Sequence, residues 1–301
     1  MKFTLIGGAG FIGSQLMTYL PQFGHEVKVI DNLTYGQNFG YPDEVKLIND
    51  DVKNIGRYET ELNEADYVFY MASPRLNEIN DLEEPLPHLA GLKTTLDICQ
   101  NNNTQVIFFS SCSVYGYRKN MVNELSTTKV TSLYSKLKID SENLLKKYDE
   151  DRFKIVRLST LFGTSGVGRN DLLVNNFVKD VLFSQYLEVY DPEAWRPNIN
   201  IHTLCGVLKE LAEKNAFQSI LNIGYNILNT TKQELILKMV TRNKLDFTVK
   251  YYSPDDSRSY KVDFSKMEEL IDLEPIQYVD GIDQLVSTFR EVIIEQNQDN
   301  E

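Results

Sequence analysis

The run Gly7-Gly8-Ala9-Gly10-Phe11-Ile12-Gly13 constrains this chain more than any other feature, because a strand-like segment (Lys2–Gly7) leads into it and a helix-like one (Phe11–Leu20) leaves it. A glycine turn in that setting removes the Cβ atoms that would hold an anion off the backbone, and it aims the N–H groups of a helix start at the anion. Gly8, Gly10 and Gly13 give the G-x-G-x-x-G spacing of a dinucleotide-binding βαβ unit, and Gly7, Phe11 and Ile12 complete the loop. Asp31 ends the next predicted strand, where a carboxylate accepts hydrogen bonds from a ribose 2′-OH and repels a 2′-phosphate, so NAD is expected over NADP. The competing reading is an ordinary strand-ending acid that starts the turn through Asn32.

Strand-like and helix-like stretches alternate from Lys2 to about Ser159. Strands are predicted at Lys2–Gly7, Glu26–Asp31, Val45–Asn49, Tyr67–Tyr70, Gln105–Ser111 and Lys154–Leu158, and helices at Phe11–Leu20, Gly56–Leu62, Pro87–Gln100 and Leu133–Tyr148. That alternation predicts an α/β fold, a Rossmann-type doubly wound parallel sheet. After Gly163 the pattern loosens into a glycine-rich loop, a helix near Leu172–Phe183, a segment bracketed by Pro192 and Pro197, two more helical patterns and an acidic tail. The expected organisation is an NAD-binding domain over 1–160 and a smaller C-terminal substrate-binding lobe over 161–301, with the chain free to cross between them; Gln296–Glu301 is expected to be frayed.

With 42% hydrophobic residues in 301, the chain has enough apolar surface for a full core. Its net charge of −12 opposes nucleic acid, and no basic run offsets it. Cys99, Cys112 and Cys205 are unpaired in number and have no Cys or His at metal-ligand spacing, which predicts reduced thiols and no metal. The N-terminal apolar run is short for a signal peptide and no stretch approaches membrane-spanning length, so a cytoplasmic protein without a membrane partner is expected.

Tyr134 and Lys138 stand four apart on a predicted helix and project from one face. The ammonium, together with a nicotinamide ring, is expected to lower the phenol toward working pH and make it a base for a sugar hydroxyl. The spacing alone is weak evidence, since with 17 tyrosines about one Tyr-x-x-x-Lys arises by chance, and Tyr115 and Lys119 repeat it. Gly116 and a loop-like setting argue against a shared helical face for that second pair. Ser110-Ser111-Cys112-Ser113 close an apolar strand at the carboxyl edge of the sheet, where open α/β folds bind ligands. They suit a reacting sugar oxygen, or simply satisfy backbone groups at a strand end.

Taken together, these residues resemble the extended short-chain dehydrogenase/reductase family, in particular its NAD-dependent nucleotide-sugar epimerase/dehydratase branch. The resemblance rests on the glycine run, Asp31-Asn32-Leu33, Asp51-Val52, Met71-Ala72-Ser73, Ser111 with Val114-Tyr115-Gly116, and Tyr134 with Lys138, in order and at similar spacing. It implies that Asp51 and Val52 flank the adenine, that Met71, Ala72, Ser73 and Ser110 line the cofactor, and that Ser111, Tyr134 and Lys138 form the catalytic triad. It also implies a nucleotide-sugar site that draws on Ser111, Cys112, Ser113, Thr160, Asn175, Arg196 and Arg258, with the two arginines at the diphosphate. Arg157 stays open between a substrate contact and a structural ion pair. The family's Pro before the catalytic Tyr is missing, Thr160 stands where an Asn is common, and Ile199–Leu204 lacks an Asp that usually follows a His-Val pair.

The shared chemistry is hydride transfer from a sugar carbon to NAD, giving a 4-keto sugar. A 4,6-dehydratase of the family carries Asp-Glu directly after the catalytic hydroxyl residue; Cys112 and Ser113 stand there and are poor proton shuttles at neutral pH. The expected activity is therefore a 4-epimerase of the UDP-glucose 4-epimerase type. The alternatives are a 4-dehydrogenase or 4-keto-reductase, or a non-catalytic NAD-binding regulator. Family likeness also implies a homodimer through the helices near Pro87–Gln100 and Leu133–Tyr148. His25, His88 and His202 are read as structural or exposed.

Overall fold

The computed structural model describes residues 1–36, 40–74, 85–253 and 259–298. In chain order its elements are β1 (Lys2–Ile6), α1 (Phe11–Tyr19), β2 (Glu26–Asp31), β3 (Lys46–Asn49), α2 (Glu59–Asn63), β4 (Tyr67–Tyr70), α3 (Pro85–Cys99), β5 (Gln105–Ser111), α4 (Leu133–Leu145), β6 (Phe153–Leu158), β7 (Thr160–Phe162), α5 (Leu173–Ser184), β8 (Tyr186–Tyr190), β9 (Trp195–Asn200), α6 (Ile201–Glu213), β10 (Ile220–Ile223), β11 (Asn229–Thr231), α7 (Lys232–Thr241), β12 (Thr248–Tyr252), α8 (Ser265–Leu270) and α9 (Tyr278–Gln298). Short 3₁₀ helices at Val52–Tyr58 and Cys112–Tyr115 follow β3 and β5.

Seven parallel strands form the main sheet in the order β10-β6-β5-β4-β1-β2-β3. Every residue of β4 and of β6 is buried, as expected when helices cover both faces of a parallel sheet. Alternate side chains divide the core in two. Phe3 and Leu5 of β1 pack with Met17, Leu20 and the α6 residues Leu204 and Leu208, whereas Ile6 joins Val68 and Tyr70 against Leu92 and Leu96 of α3 and Leu145 of α4. The strand order reverses direction between β1 and β4, which opens a crevice beyond their carboxyl ends.

The rest of the chain builds a three-stranded sheet, β11-β9-β7, and a parallel pair, β12-β8, beside α5, α7 and α9. The segment bracketed by prolines becomes β9, with Pro197 opposite Asn229 at the end of the β11 ladder and just before Asn198 pairs with Thr160. A missing N–H at that point interrupts neither ladder. The second half also returns to the first: β10 pairs with β6 and extends the main sheet, and α6 packs on α1.

Candidate active site

One cleft of about 800 Å³ runs from the glycine loop across the carboxyl ends of the main sheet into the second lobe. Gly7, Gly10, Phe11, Ile12, Gly13, Asp31, Asn32, Asp51, Val52, Met71, Ala72 and Ser73 line one end, and Ser110, Ser111, Ser113, Tyr134 and Lys138 the middle. Thr160, Arg169, Arg196, Lys232 and Tyr260 line the other side.

Two glycines explain the glycine loop. Gly7 has φ +75° and a Cβ on it would fall 2.4 Å from the Ala72 nitrogen; one on Gly13 would fall 2.2 Å from the Gly8 carbonyl oxygen. The first lets the turn lie against the end of β4, and the second lets the start of α1 approach the sheet. Gly7, Gly10 and Gly13 face the cleft, whereas Gly8, which the sequence spacing placed in the motif, turns into the core against Leu5 and Val29. Asp31 accepts hydrogen bonds from the Ala9 nitrogen (2.9 Å) and the Leu33 nitrogen (2.7 Å), so it braces the glycine loop while each oxygen keeps a lone pair for a ribose. Burial holds its carboxyl above the usual carboxylate range, against those two hydrogen bonds. Asn32 donates to Asp51 at 3.1 Å, and Asp51 caps the 3₁₀ helix through the Lys53 nitrogen. Ser73 lines the cleft and bonds the Pro74 carbonyl at 3.3 Å.

The residues fit NAD: a glycine turn that leaves its backbone bare at the cleft, and an acid at the end of β2 that braces this turn and keeps lone pairs for a ribose.

At the centre, a Ser132–Ser135 capping box starts α4 and sets the rotation that turns Tyr134 and Lys138 inward. Ser111 and the half-buried Tyr134 phenol line the middle of the cleft together, and Ser111 acts on the phenol to favour its ionised form. The Lys138 ammonium donates to the Phe109 carbonyl at 2.9 Å and sits 5.5 Å from the centre of the Tyr134 ring. Burial pushes Lys138 down to about 7, with Glu142 opposing. Burial also raises the phenol above its usual value, while the charge of Arg169 and the Ser111 contact act the other way. Without a bound cofactor, the charge that works against burial at the phenol is that of Arg169.

A buried network fixes this geometry. Glu142 accepts Ser110 Oγ at 2.6 Å and binds Arg157 through two hydrogen bonds, of 3.0 Å and 2.7 Å. Arg157 also donates to the Tyr115 hydroxyl, which donates to Asn222 at 2.7 Å. Arg157 is thus a structural ion pair, and Tyr115 belongs to the network rather than to a second Tyr–Lys pair. Ser110 lines the cleft, yet its hydroxyl is committed to Glu142.

Two predicted substrate residues lie elsewhere. Cys112 is fully buried at the start of the 3₁₀ helix after β5, its thiol directed at the Arg157 carbonyl, whereas Ser111 and Ser113 line the cleft. Asn175 clamps the turn at Gly163, donating to its carbonyl and accepting from its nitrogen, both at 2.9 Å. Arg196 is buried at the cleft wall and donates to the Trp195 carbonyl at 3.0 Å. Arg258 lies outside the described residues.

Sequence reasoning missed Arg169, held by Asp171 through contacts of 2.6 Å and 2.7 Å, and Lys232, which donates to the Tyr190 carbonyl at 2.6 Å. An Arg directly after the glycine-rich loop was the available signal for the first. Nothing in the sequence marks Lys232, which reaches the cleft from the start of α7.

A parallel sheet with a glycine turn at its switch point and a Ser–Tyr–Lys group at the carboxyl edge defines an extended short-chain dehydrogenase/reductase with NAD as cofactor. The chain belongs to the NAD dependent epimerase/dehydratase family, which it matches over residues 3–224. UDP-glucuronic acid decarboxylase 1 of Arabidopsis thaliana is 27% identical over 99% of this chain and 72% of its own length, and that of Xenopus tropicalis is 25% identical over 96% and 72%. In fold the chain resembles the Bacillus cereus UDP-glucuronic acid 4-epimerase solved with UDP-glucuronic acid and NAD (TM-score 0.81, 20% identity, 97% of this chain and 100% of that one). It also resembles the Methanobrevibacter ruminantium UDP-N-acetylglucosamine 4-epimerase solved with UDP-N-acetylmuramic acid (TM-score 0.82, 24% identity, 95% and 98%). The protein is an NAD-dependent enzyme of the nucleotide-sugar epimerase/dehydratase type. No described helix is long and apolar enough to cross a membrane.

Proposed function

We propose that the protein is a nucleotide-sugar 4-epimerase in which Tyr134, Ser111 and Lys138 act together on the sugar C4 hydroxyl. The supporting observation is the pairing of that triad with the positions that follow it: Cys112 points into the core and Ser113 offers only a hydroxyl. No acid and base stand there to expel a C6 hydroxyl, and epimerisation needs none. Bound NAD supplies a hydride acceptor and donor at C4. Tyr134 takes the C4 hydroxyl proton and returns it after the keto sugar has turned over, Ser111 hydrogen-bonds the reacting oxygen, and Lys138 orients the cofactor's ribose. Thr160 and Ser113 contact the sugar, and Arg196, Lys232 and Arg258 take the diphosphate.

Arg169 favours a second reading. A guanidinium that acts on the Tyr134 phenol suits a carboxylate at C5 of the sugar, and the decarboxylase relatives are named for UDP-glucuronic acid. A 4-keto uronic acid is a β-keto acid: breaking C5–C6 releases CO₂ and C5 takes a proton before C4 is reduced again.

Incubating the protein with NAD and UDP-glucose, UDP-N-acetylglucosamine or UDP-glucuronic acid separates the readings. Epimerisation gives the C4-inverted sugar with no net reduced cofactor, decarboxylation releases CO₂, and a dehydrogenase accumulates reduced cofactor in proportion to substrate. Tyr134→Phe is expected to cut turnover at least about 100-fold with NAD binding intact; parental turnover would remove Tyr134 from the chemistry, and no turnover of any sugar by the parent would point to a regulator. The proposal extends to a homodimer through α3 and α4 and to a reducing cytoplasm, which suits three buried free thiols.

A further inference from the structure

The spacing of Tyr115 and Lys119 echoes the catalytic pair, yet Tyr115 is fully buried and does not reach the cleft, and Lys119 is exposed. Tyr115 ends the 3₁₀ helix that follows Ser111. It packs with Cys112, Val122, Tyr260, Val262 and Phe264 in a small apolar cluster separate from the two larger ones. Tyr260, Val262 and Phe264 belong to segment 259–264, which puts Tyr260 on the second-lobe side of the cleft with Arg196 and Lys232. This segment is irregular apart from one bridge between Val122 and Val262, so its place is set by what it is tied to. From the loop after Tyr115, the Arg118 and Val122 nitrogens donate to the Ser259 and Lys261 carbonyls, both at 2.9 Å, and the Asp263 nitrogen donates to the Val122 carbonyl at 2.7 Å.

A buried polar chain runs behind these contacts. The Tyr115 hydroxyl accepts from Arg157 Nη1 at 3.0 Å and donates to Asn222 Oδ1 at 2.7 Å. With Oδ1 so engaged, the Asn222 amide turns its Nδ2 to the Asp263 carbonyl at 3.3 Å, and the main-chain nitrogen of Asn222 donates to Glu124 Oε1 at 2.9 Å. One phenol thus orients an amide that grips segment 259–264, on a residue whose backbone holds the loop beneath it. On its other side, Arg157 and Glu142 lead to Ser110, next to Ser111. Phenylalanine would fill the same space in the apolar cluster, so the hydroxyl serves the polar chain.

We infer that Tyr115 is a positioning residue for the nucleotide half of the substrate. Through Asn222 it sets how closely segment 259–264 stands to the strand end that carries Ser111 and Ser113, and so the width of the cleft where the nucleoside diphosphate lies. The inference rests on the second-lobe side of the cleft as the nucleotide site. The glycine-loop end, where NAD binds, lies outside its reach.

Calorimetry with UDP, GDP and dTDP finds the nucleotide that the parent binds most tightly. That nucleotide and NADH are then titrated into Tyr115→Phe, Asn222→Ala, the double variant and Val27→Ala, a control for general loosening that thins the core at the amino end of β2. Thermal midpoints check folding, and Asn222→Ala stands in if Tyr115→Phe does not fold. The nucleoside diphosphate is expected to bind about tenfold more weakly to each single variant, and the double variant to lose no more than about twofold further, because the two residues act in one chain. NADH is expected to bind all of them within about twofold of the parent, and Val27→Ala to match the parent for both ligands. On the parent alone, hydrogen exchange at 259–264 should slow with the nucleoside diphosphate and not with NADH.

Parental nucleotide affinity in Tyr115→Phe overturns the inference, as does an equal loss for NADH or in Val27→Ala. Exchange at 259–264 that the nucleotide leaves unchanged overturns it too. So does a parent that binds none of the three nucleotides, and that blank titration is the one result that would also remove the nucleotide site itself. Because no turnover is measured, decarboxylation in place of epimerisation leaves these outcomes untouched.

Discussion

Lys138 illustrates how far the environment of one residue resets its chemistry. An ordinary lysine titrates near 10.4, but here burial among Phe108, Phe109 and the Tyr134 ring brings the group down to about 7. Between that value and the unfolded one, the unfolded chain holds a proton on Lys138 that the folded chain has given up, so stability rises with pH across this window. The ligand-free protein should therefore show a thermal midpoint that climbs from pH 7 to pH 9, and Lys138→Met should lose most of the climb; an equally steep variant would mean that the slope arises elsewhere. The same lysine and its tyrosine were legible in the sequence from their spacing, yet the burial and the Arg169 charge that act on the ligand-free phenol were not. Desolvation depends on what surrounds the ring, and Arg169 reaches it from a loop far away in the chain.

Among the elements, α1 shows how tightly the glycine run couples cofactor binding to packing. Its first turn touches the loop before it: Gly13 leaves no room for a Cβ beside the Gly8 carbonyl, and Ser14 bonds Ser165 at 2.7 Å, which in turn bonds the Phe11 carbonyl at 2.6 Å. Gly13→Ala must push backbone against backbone, so a stability loss of about 1–3 kcal/mol is expected with at least a tenfold loss of NAD affinity, read by thermal melting and titration. Unchanged values of both would show that the loop yields more freely than this contact implies. Most main-sheet strands were visible as apolar runs, and α4 as a periodic one. The short strands β7, β10, β11 and β12 were not, because three to five residues carry too little pattern to stand out and are held by their neighbours in the sheet.

At the scale of the whole molecule, the two lobes share one core. A single apolar cluster runs from Phe3 and Met17 through α6 to Phe162 and Tyr278, and β10 adds a seventh strand beside β6. Calorimetry should accordingly show one cooperative unfolding transition, and a fragment of residues 1–160 should fail to give a cooperative melt, since it leaves the edge of β6 unpaired and the α1 face uncovered; independent melting of that fragment would refute a shared core. Local spacing in the chain was enough to reveal the glycine turn, the acid at the end of β2, the Tyr–Lys pair and the alternation that makes a parallel sheet, because each depends on residues adjacent in sequence and on the periods of helix and strand. Which serines face the cleft, that Cys112 and Asn175 turn away from it, that Arg157 serves Glu142, and that Arg169 and Lys232 arrive at one site were decided by tertiary structure alone. Those outcomes depend on how distant elements rotate and pack to exclude water, and no short-range pattern records it.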